Sequence, residues 1–257
     1  MKPDIQPQHQ EYGKLYGVGA GPGAPDLLTL RAERVLRTCP VICLPAGASG
    51  KSYVENIIEK LVDRSQQEVL LLQFPMQRDL ARAIPARELA ASRVLDRLQA
   101  GHDVAFVTEG DPLLYSTFGY LLERVRGHSP QIPVEVIPGV SSITAAAASA
   151  CLPLAAWNER IAILPAVYSL DRSEPGNLHM VLQAFDTVVL LKVNSVFDAL
   201  LHVLEELDLA QHAVFVRRCS TDLEEVVFDL ASLRKQTLDY FSLVIVRNPH
   251  AISNRCI

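Results

Sequence analysis

The chain has 257 residues, 49% of them apolar and 21% charged, which suits one large or two small globular cores and excludes a disordered chain. Its net charge is −5, from 24 Lys and Arg against 29 Asp and Glu, so it lacks the basic excess of a nucleic-acid footprint. No run of about 18 apolar residues occurs, and Met1 to Gln6 is polar, so neither a membrane span nor an export signal is expected.

Five cysteines stand at 39, 43, 151, 219 and 256. Their number is odd and none forms a Cys-x-x-Cys pair, which argues against a disulfide scaffold or a zinc ribbon. The seven histidines are scattered, with no His-Glu-x-x-His, so no protein-held metal is expected. Reduced thiols without an export signal fit a cytoplasmic protein.

Residues 1 to 12 are polar and carry no apolar periodicity, as in a frayed tail. Leu15 to Val18 reads as a first strand, followed by a glycine-rich turn, Gly19 to Gly23. Leu28, Ala32, Val35, Leu36 and Cys39 recur at helical spacing, with Thr29 as N-cap and Pro40 as terminator. Val41 to Leu44 is a second strand bounded by Pro45, and Tyr53 to Val62 a helix. Val69 to Leu72 is a third strand, and Arg87 to Ala100 a long helix ending at Gly101. Val104 to Val107 and Val134 to Ile137 are the fourth and fifth strands. These runs are short, β-branched and unalternated, the mark of strands buried on both faces of a largely parallel sheet.

A break near Leu152 to Trp157 divides the chain into an N-terminal domain, 13–152, and a C-terminal domain, 157–250. In the second, Ile161 to Leu164, Val188 to Leu191 and Ala213 to Val216 read as strands. A helix from Val196 to Leu207 is capped by Ser195. Glu225 to Phe228 and Phe241 to Val246 follow with little helix between them, which predicts antiparallel pairing and a mixed sheet. The fold class is therefore α/β, in two domains.

Three turns follow strands of the first domain. The first, Gly17 to Ala24, holds Gly19-x-Gly21-x-x-Ala24, a loose match to the dinucleotide fingerprint. Pro22 removes an N–H that a pyrophosphate would use, and Leu44-Pro45-Ala46 stands where a ribose-binding acid belongs, so a nicotinamide-dependent oxidoreductase is disfavoured. The second, Thr108 to Ser116, contains Gly110-Asp111-Pro112. Asp111 can cap a helix whose first residue is Pro112, and Ser116 can cap a later start. Alternatively, Gly110 and its neighbours present backbone donors. The third, Ile137 to Ser142, precedes an alanine-rich helix that Ser141 or Ser142 can cap. All three lie at C-terminal strand ends, where open α/β sheets bind ligands, and are expected to converge.

Gly19 to Leu30, Glu109-Gly110-Asp111-Pro112 and Pro138-Gly139-Val140-Ser141-Ser142 resemble the three signatures of the tetrapyrrole methylases, the class III methyltransferases that use S-adenosylmethionine. The resemblance runs from about Lys14 to Asn248, with one departure at Ala24, where most relatives carry a polar residue. Glu109, the stretch Asp186 to Val193 and the ending Tyr240 to Val246 are similar to the branch that methylates carbon 20 of precorrin-2 or cobalt-factor II in cobalamin biosynthesis. Methylation of another tetrapyrrole position, of diphthine or of ribosomal RNA is the alternative.

The resemblance implies two α/β domains with S-adenosylmethionine in the cleft between them, and a homodimer. It implies cofactor contacts at Pro22, Glu109, Gly110, Asp111, Leu114, Ser141 and Ser142, and in the second domain at Lys192, Val193, Cys219, Ser242 and Leu243. Replacing Gly110 by a β-branched residue is expected to weaken cofactor binding with little loss of fold. No general base is assigned: Glu109 or Asp111 can accept the proton leaving carbon 20, but each can equally serve the cofactor or a cap. The polycarboxylate macrocycle requires a local basic rim on an acidic protein. Arg78, Arg82 and Arg87 are its candidates, the first two sharing a face if their segment is helical.

Overall fold

A computed structural model describes residues 12–47, 50–74, 80–169 and 177–251. The chain divides into two compact units, Met1–Ser141 and Ser142–Ile257, so the alanine-rich helix groups with the second unit.

The first unit holds five strands, β1 (Leu15–Gly19), β2 (Val41–Ala46), β3 (Glu68–Gln73), β4 (Val104–Thr108) and β5 (Val134–Ile137). All are parallel, in the order β3-β2-β4-β1-β5. Four helices connect them: α1 (Leu30–Thr38), α2 (Val54–Ile58), α3 (Leu80–Gln99) and α4 (Phe118–His128). Leu15, Phe106 and Phe118 pack on one face with α3. Val18, Ile42 and Leu44 pack on the other with α1 and α2. The central strands β2, β4 and β1 are buried on both faces, as their unalternated sequences predict. The edge strand β3 alternates, because one of its faces meets solvent.

Thr29 caps α1, its hydroxyl accepting from the Ala32 N–H at 3.1 Å. Pro45 lies inside β2 rather than bounding it. Pairing with β4 stops at Cys43, so Pro45 has a single neighbouring strand, where a missing N–H is tolerated. Helix α3 begins well before Arg87 and includes Pro85. Cys39 and Cys43 are buried free thiols, and burial pushes the Cys39 thiol up to about 12.

The second unit holds β6 (Ile161–Pro165), β7 (Thr187–Leu191), β8 (Ala213–Arg217), β9 (Glu225–Val227) and β10 (Ser242–Arg247), in the order β6-β7-β10-β8-β9. β6 and β7 are parallel, and the remaining pairs are antiparallel, the mixed sheet expected from the ending of the sequence. Its helices are α5 (Ser142–Ser149), α6 (Ala166–Ser169), α7 (Leu178–Ala184) and α8 (Phe197–Glu206). Ser195 does not cap α8; it ends a short 3-10 turn, and Val196 stands at the cap position without a side-chain bond.

At the end of β10, Arg247 binds three partners together. Its guanidinium donates to the Leu154 carbonyl at 3.0 Å, to Thr187 Oγ1 at 2.8 Å and to both Glu159 oxygens at 2.9 and 3.0 Å. These bonds, with the Ala156 N–H, hold the Glu159 carboxyl below its usual range. A depressed carboxylate contributes stability that is present above its unfolded value and lost as pH falls. Arg247→Met is expected to destabilise the protein by about 2–4 kcal/mol and to flatten the acid-side loss of stability, measured by urea unfolding between neutral and acidic pH.

Candidate cofactor site

In the first unit β4, β1 and β5 are neighbours, so the three turns leave adjacent strand ends. They meet through backbone. The Ala20 N–H donates to the Thr108 carbonyl at 2.8 Å, and the Gly110 N–H to the Gly21 carbonyl at 2.7 Å. Gly21 and Gly110 form an isolated antiparallel bridge in a unit whose strands are all parallel.

The packing leaves no room for side chains. A Cβ on Gly19 would stand 2.6 Å from the Gly110 oxygen and from Gly139 Cα, and one on Gly139 would stand 2.1 Å from the Gly110 oxygen. The close approach that the glycines permit is of protein backbone to protein backbone. Gly110 itself has φ +61°. A β-branched residue is strained there, so its substitution costs fold, contrary to the sequence expectation.

Asp111 ties the second turn to the third. One carboxylate oxygen accepts from the Leu113 N–H at 2.9 Å, and the other from the Gly139 N–H at 3.1 Å. Asp111 is therefore not a helix cap: α4 starts at Phe118, whose N–H donates to Ser116 Oγ at 3.2 Å. With both oxygens engaged by backbone donors, Asp111 shapes the turn. Pro22 is buried, while Leu114 is 37% exposed.

Within the second unit, β10 runs antiparallel between β7 and β8, so its start lies beside their C-terminal ends. That edge gathers the candidates of this unit. The Lys192 N–H donates to the Ser242 carbonyl at 3.0 Å, and the Arg218 N–H to the Phe241 carbonyl at 2.8 Å. Ser242 Oγ donates to the Asp239 carbonyl at 2.6 Å, and Leu243 is paired with Leu191. Asp239 also accepts from Arg218 Nε at 2.7 Å. Lys192 adopts a left-handed conformation, φ 58°, with its ammonium 5.6 Å from the Tyr240 ring centre. Val193 is fully buried in the core, which leaves its backbone as the available group. Cys219 Sγ lies 3.7 Å from the Ser142 carbonyl, and burial pushes its thiol up to about 11. Ser142 is the first residue of α5, and Ser141 precedes it.

Of the basic candidates, Arg78 and the side chain of Arg82 lie outside the described residues. The Arg87 guanidinium stacks on the Tyr120 ring at 3.7 Å. Because α3 follows the C-terminal end of β3, its first turns, with Arg82 and Arg87, stand on the side of the sheet that carries the glycine turns. Among the described residues no group of His, Cys, Asp or Glu is arranged to hold a metal ion, and no helix is long and apolar enough to cross a membrane.

A parallel α/β unit whose glycine turns meet at its strand ends is thus followed by a mixed-sheet unit with a polar strand-end cluster, a two-domain α/β fold. The tetrapyrrole (corrin/porphyrin) methylase family model matches residues 14–233, and the chain belongs to that family. It is 32% identical over 241 residues to the cobalt-precorrin-2 C(20)-methyltransferase of Salmonella typhimurium, covering 91% of this chain and 96% of that one. It is 30% identical over 242 residues to the precorrin-2 C(20)-methyltransferase of a Sinorhizobium species, covering 91% and 95%. Among solved structures, the uroporphyrin-III C-methyltransferase of Thermus thermophilus complexed with S-adenosylhomocysteine superposes with a TM-score of 0.66 and 25% identity, over 95% of this chain and 100% of that one.

Asp111→Ala removes the acceptor of the part-buried Gly139 N–H bond, and of the exposed Leu113 N–H. It is expected to lower stability by about 2 kcal/mol in urea unfolding. A free carboxylate kept for proton transfer would be removed with no such loss.

Proposed function

We propose that the protein transfers a methyl group from S-adenosylmethionine to carbon 20 of precorrin-2 or of its cobalt-containing counterpart, in cobalamin biosynthesis. The observation that carries this reading is similarity across nine-tenths of the chain to enzymes named for that reaction, one with and one without cobalt in the name. The meeting of the three turns at adjacent strand ends supports a backbone site there.

S-adenosylmethionine supplies an activated methyl on a sulfonium, and the electron-rich meso carbon of a reduced tetrapyrrole supplies the nucleophile. The protein's part is to hold the two in line at about 3–3.5 Å and to exclude water. Pro22, Glu109, Gly110, Asp111, Leu114, Ser141 and Ser142 are proposed to bind the co-substrate, mainly through backbone. From the second unit, Lys192, Val193, Cys219, Ser242 and Leu243 join them. Ser242 still has acceptor capacity after donating to Asp239, and Val193 contributes only main chain. Asp111 is not assigned as the base that takes the carbon-20 proton, because both its oxygens hold backbone N–H groups.

Arg78, Arg82 and Arg87 are proposed to meet the macrocycle's carboxylates. The support is the place of Arg82 and Arg87 in the first turns of α3, on the strand-end side of the sheet, and the nearness of Arg78 to them in the sequence. The protein is further proposed to act in the cytoplasm as a homodimer; light scattering at micromolar concentration is expected to give about twice 28.3 kDa, and a monomer mass would refute the dimer.

Incubation with S-adenosylmethionine and each macrocycle in turn is expected to give a product that has gained one methyl group, read by mass spectrometry. No gain with either macrocycle overturns the assignment. In the same assay, charge reversal of Arg78 and Arg82 together is expected to raise the macrocycle KM at least tenfold, at roughly 1.5–3 kcal/mol per well-placed charged contact, and to leave the co-substrate KM unchanged. An unaltered macrocycle KM removes this segment from the substrate site.

A further inference from the structure

Thr108 closes β4 with a hydroxyl that has no hydrogen-bond partner among the described residues, although the residue is only 3% exposed. The Thr108 carbonyl accepts from the Ala20 N–H, and the turn that follows is bridged to Gly21 and Gly139. Strand alternation puts its side chain on the face of Val104 and Phe106, both in the core packed under α3 and α4. Its register partner in β1 is Gly19, which has no side chain to offer.

Burying a hydroxyl without a partner is costly, and in the run Val104-Ala105-Phe106-Val107-Thr108 a valine of the same shape would avoid that cost. The turn that follows carries costs of its own: Tyr115 is held at φ 51°, and Leu113 is 62% exposed. An unpaired buried polar group, a strained aromatic and an exposed leucine thus fall within eight residues, next to the knot of turns. The cost of the buried hydroxyl is one that a bound hydrogen-bond acceptor would relieve.

We propose that the Thr108 hydroxyl binds the S-adenosyl co-substrate, unpaired in the free protein and hydrogen-bonded to a polar group of the ligand when the Glu109–Ser116 turn adjusts around it. This rests on the methyl-transfer reading above. The S-adenosyl ligand is preferred to the macrocycle because Thr108 is tied directly to the first turn through Ala20, whereas the basic residues suited to carboxylate arms stand on α3. Its ribose hydroxyls, amino-acid carboxylate and adenine nitrogens offer acceptors for a single O–H donor.

The test uses the full chain as wild type, Thr108→Val and Thr108→Ser, with S-adenosylhomocysteine as the probe. Calorimetry on Thr108→Val is expected to show binding about five- to tenfold weaker, the loss of one hydrogen bond. Its melting temperature without ligand is expected at or above wild type, because the unpaired hydroxyl is gone. Thr108→Ser, which keeps the hydroxyl, is expected to bind within about twofold of wild type. Opposite signs for stability and affinity in the valine variant are the signature that a purely structural role does not give. Wild-type affinity in Thr108→Val overturns the proposal and leaves the methyl-transfer reading intact; with a lowered melting temperature it assigns the hydroxyl to a bridging water. Weakened binding in both variants in step with lowered melting temperatures also overturns it. A wild-type protein that binds no S-adenosylhomocysteine overturns both readings together.

Discussion

Three stretches of main chain cross at van der Waals distance at the C-terminal ends of β4, β1 and β5, and the rest of the first unit's site depends on that crossing. The Gly110 oxygen lies where a Cβ of Gly19 or Gly139 would be. Side chains are excluded by geometry at Gly19 and Gly139, so these positions present only N–H and C=O groups, held by strands buried on both faces. Such groups undergo no rotamer reorganisation when a ligand arrives, which suits a reaction whose main demand is alignment. The glycines were expected to let backbone approach a ligand; what they admit here is other backbone.

Asp111 shows how one side chain turns a crossing into a fixed shape. Two backbone donors twenty-six residues apart, on Leu113 and Gly139, share its carboxylate. Charge-assisted bonds to N–H groups are stronger than neutral ones, so the carboxylate fixes the turn it joins to Gly139. Methyl transfer from a sulfonium to an electron-rich carbon does not require a base in the bond-forming step, so a site built chiefly from backbone is chemically sufficient for it.

Much of the fold was legible in the sequence because burial dictates composition. Runs such as Val104 to Val107 and Val188 to Leu191 are β-branched and unalternated only because both faces of their strands are covered. The antiparallel ending was legible in the closeness of its last strands. What remained hidden depends on contacts distant in the chain. Asp111-Pro112 carries the local signal of a helix cap, and the bond to Gly139 that decides against it spans 28 residues. Pro45 reads as a boundary, and only the early end of the β2–β4 pairing makes it tolerable within a strand. Thr108 reads as one more β-branched strand residue; that its hydroxyl lacks a partner follows from the bare face of Gly19 beside it, which no local pattern reveals.

The two sheets reach polar strand-end clusters by different topologies, and the difference sets the kind of group each presents. A wholly parallel sheet brings only C-terminal strand ends to one side, and in the first unit these carry glycine and proline turns, hence main-chain groups. Inserting β10 antiparallel between β7 and β8 brings a strand start to the same edge as two strand ends. Asp239, Tyr240 and Phe241 thereby come beside Lys192 and Arg218. Arg218 is paired there with Asp239, while the Lys192 ammonium stands near an aromatic face and keeps its charge. For the proposed polycarboxylate substrate, the first turns of α3 remain the proposed basic segment, because Arg82 and Arg87 stand there at the strand-end side of the first sheet.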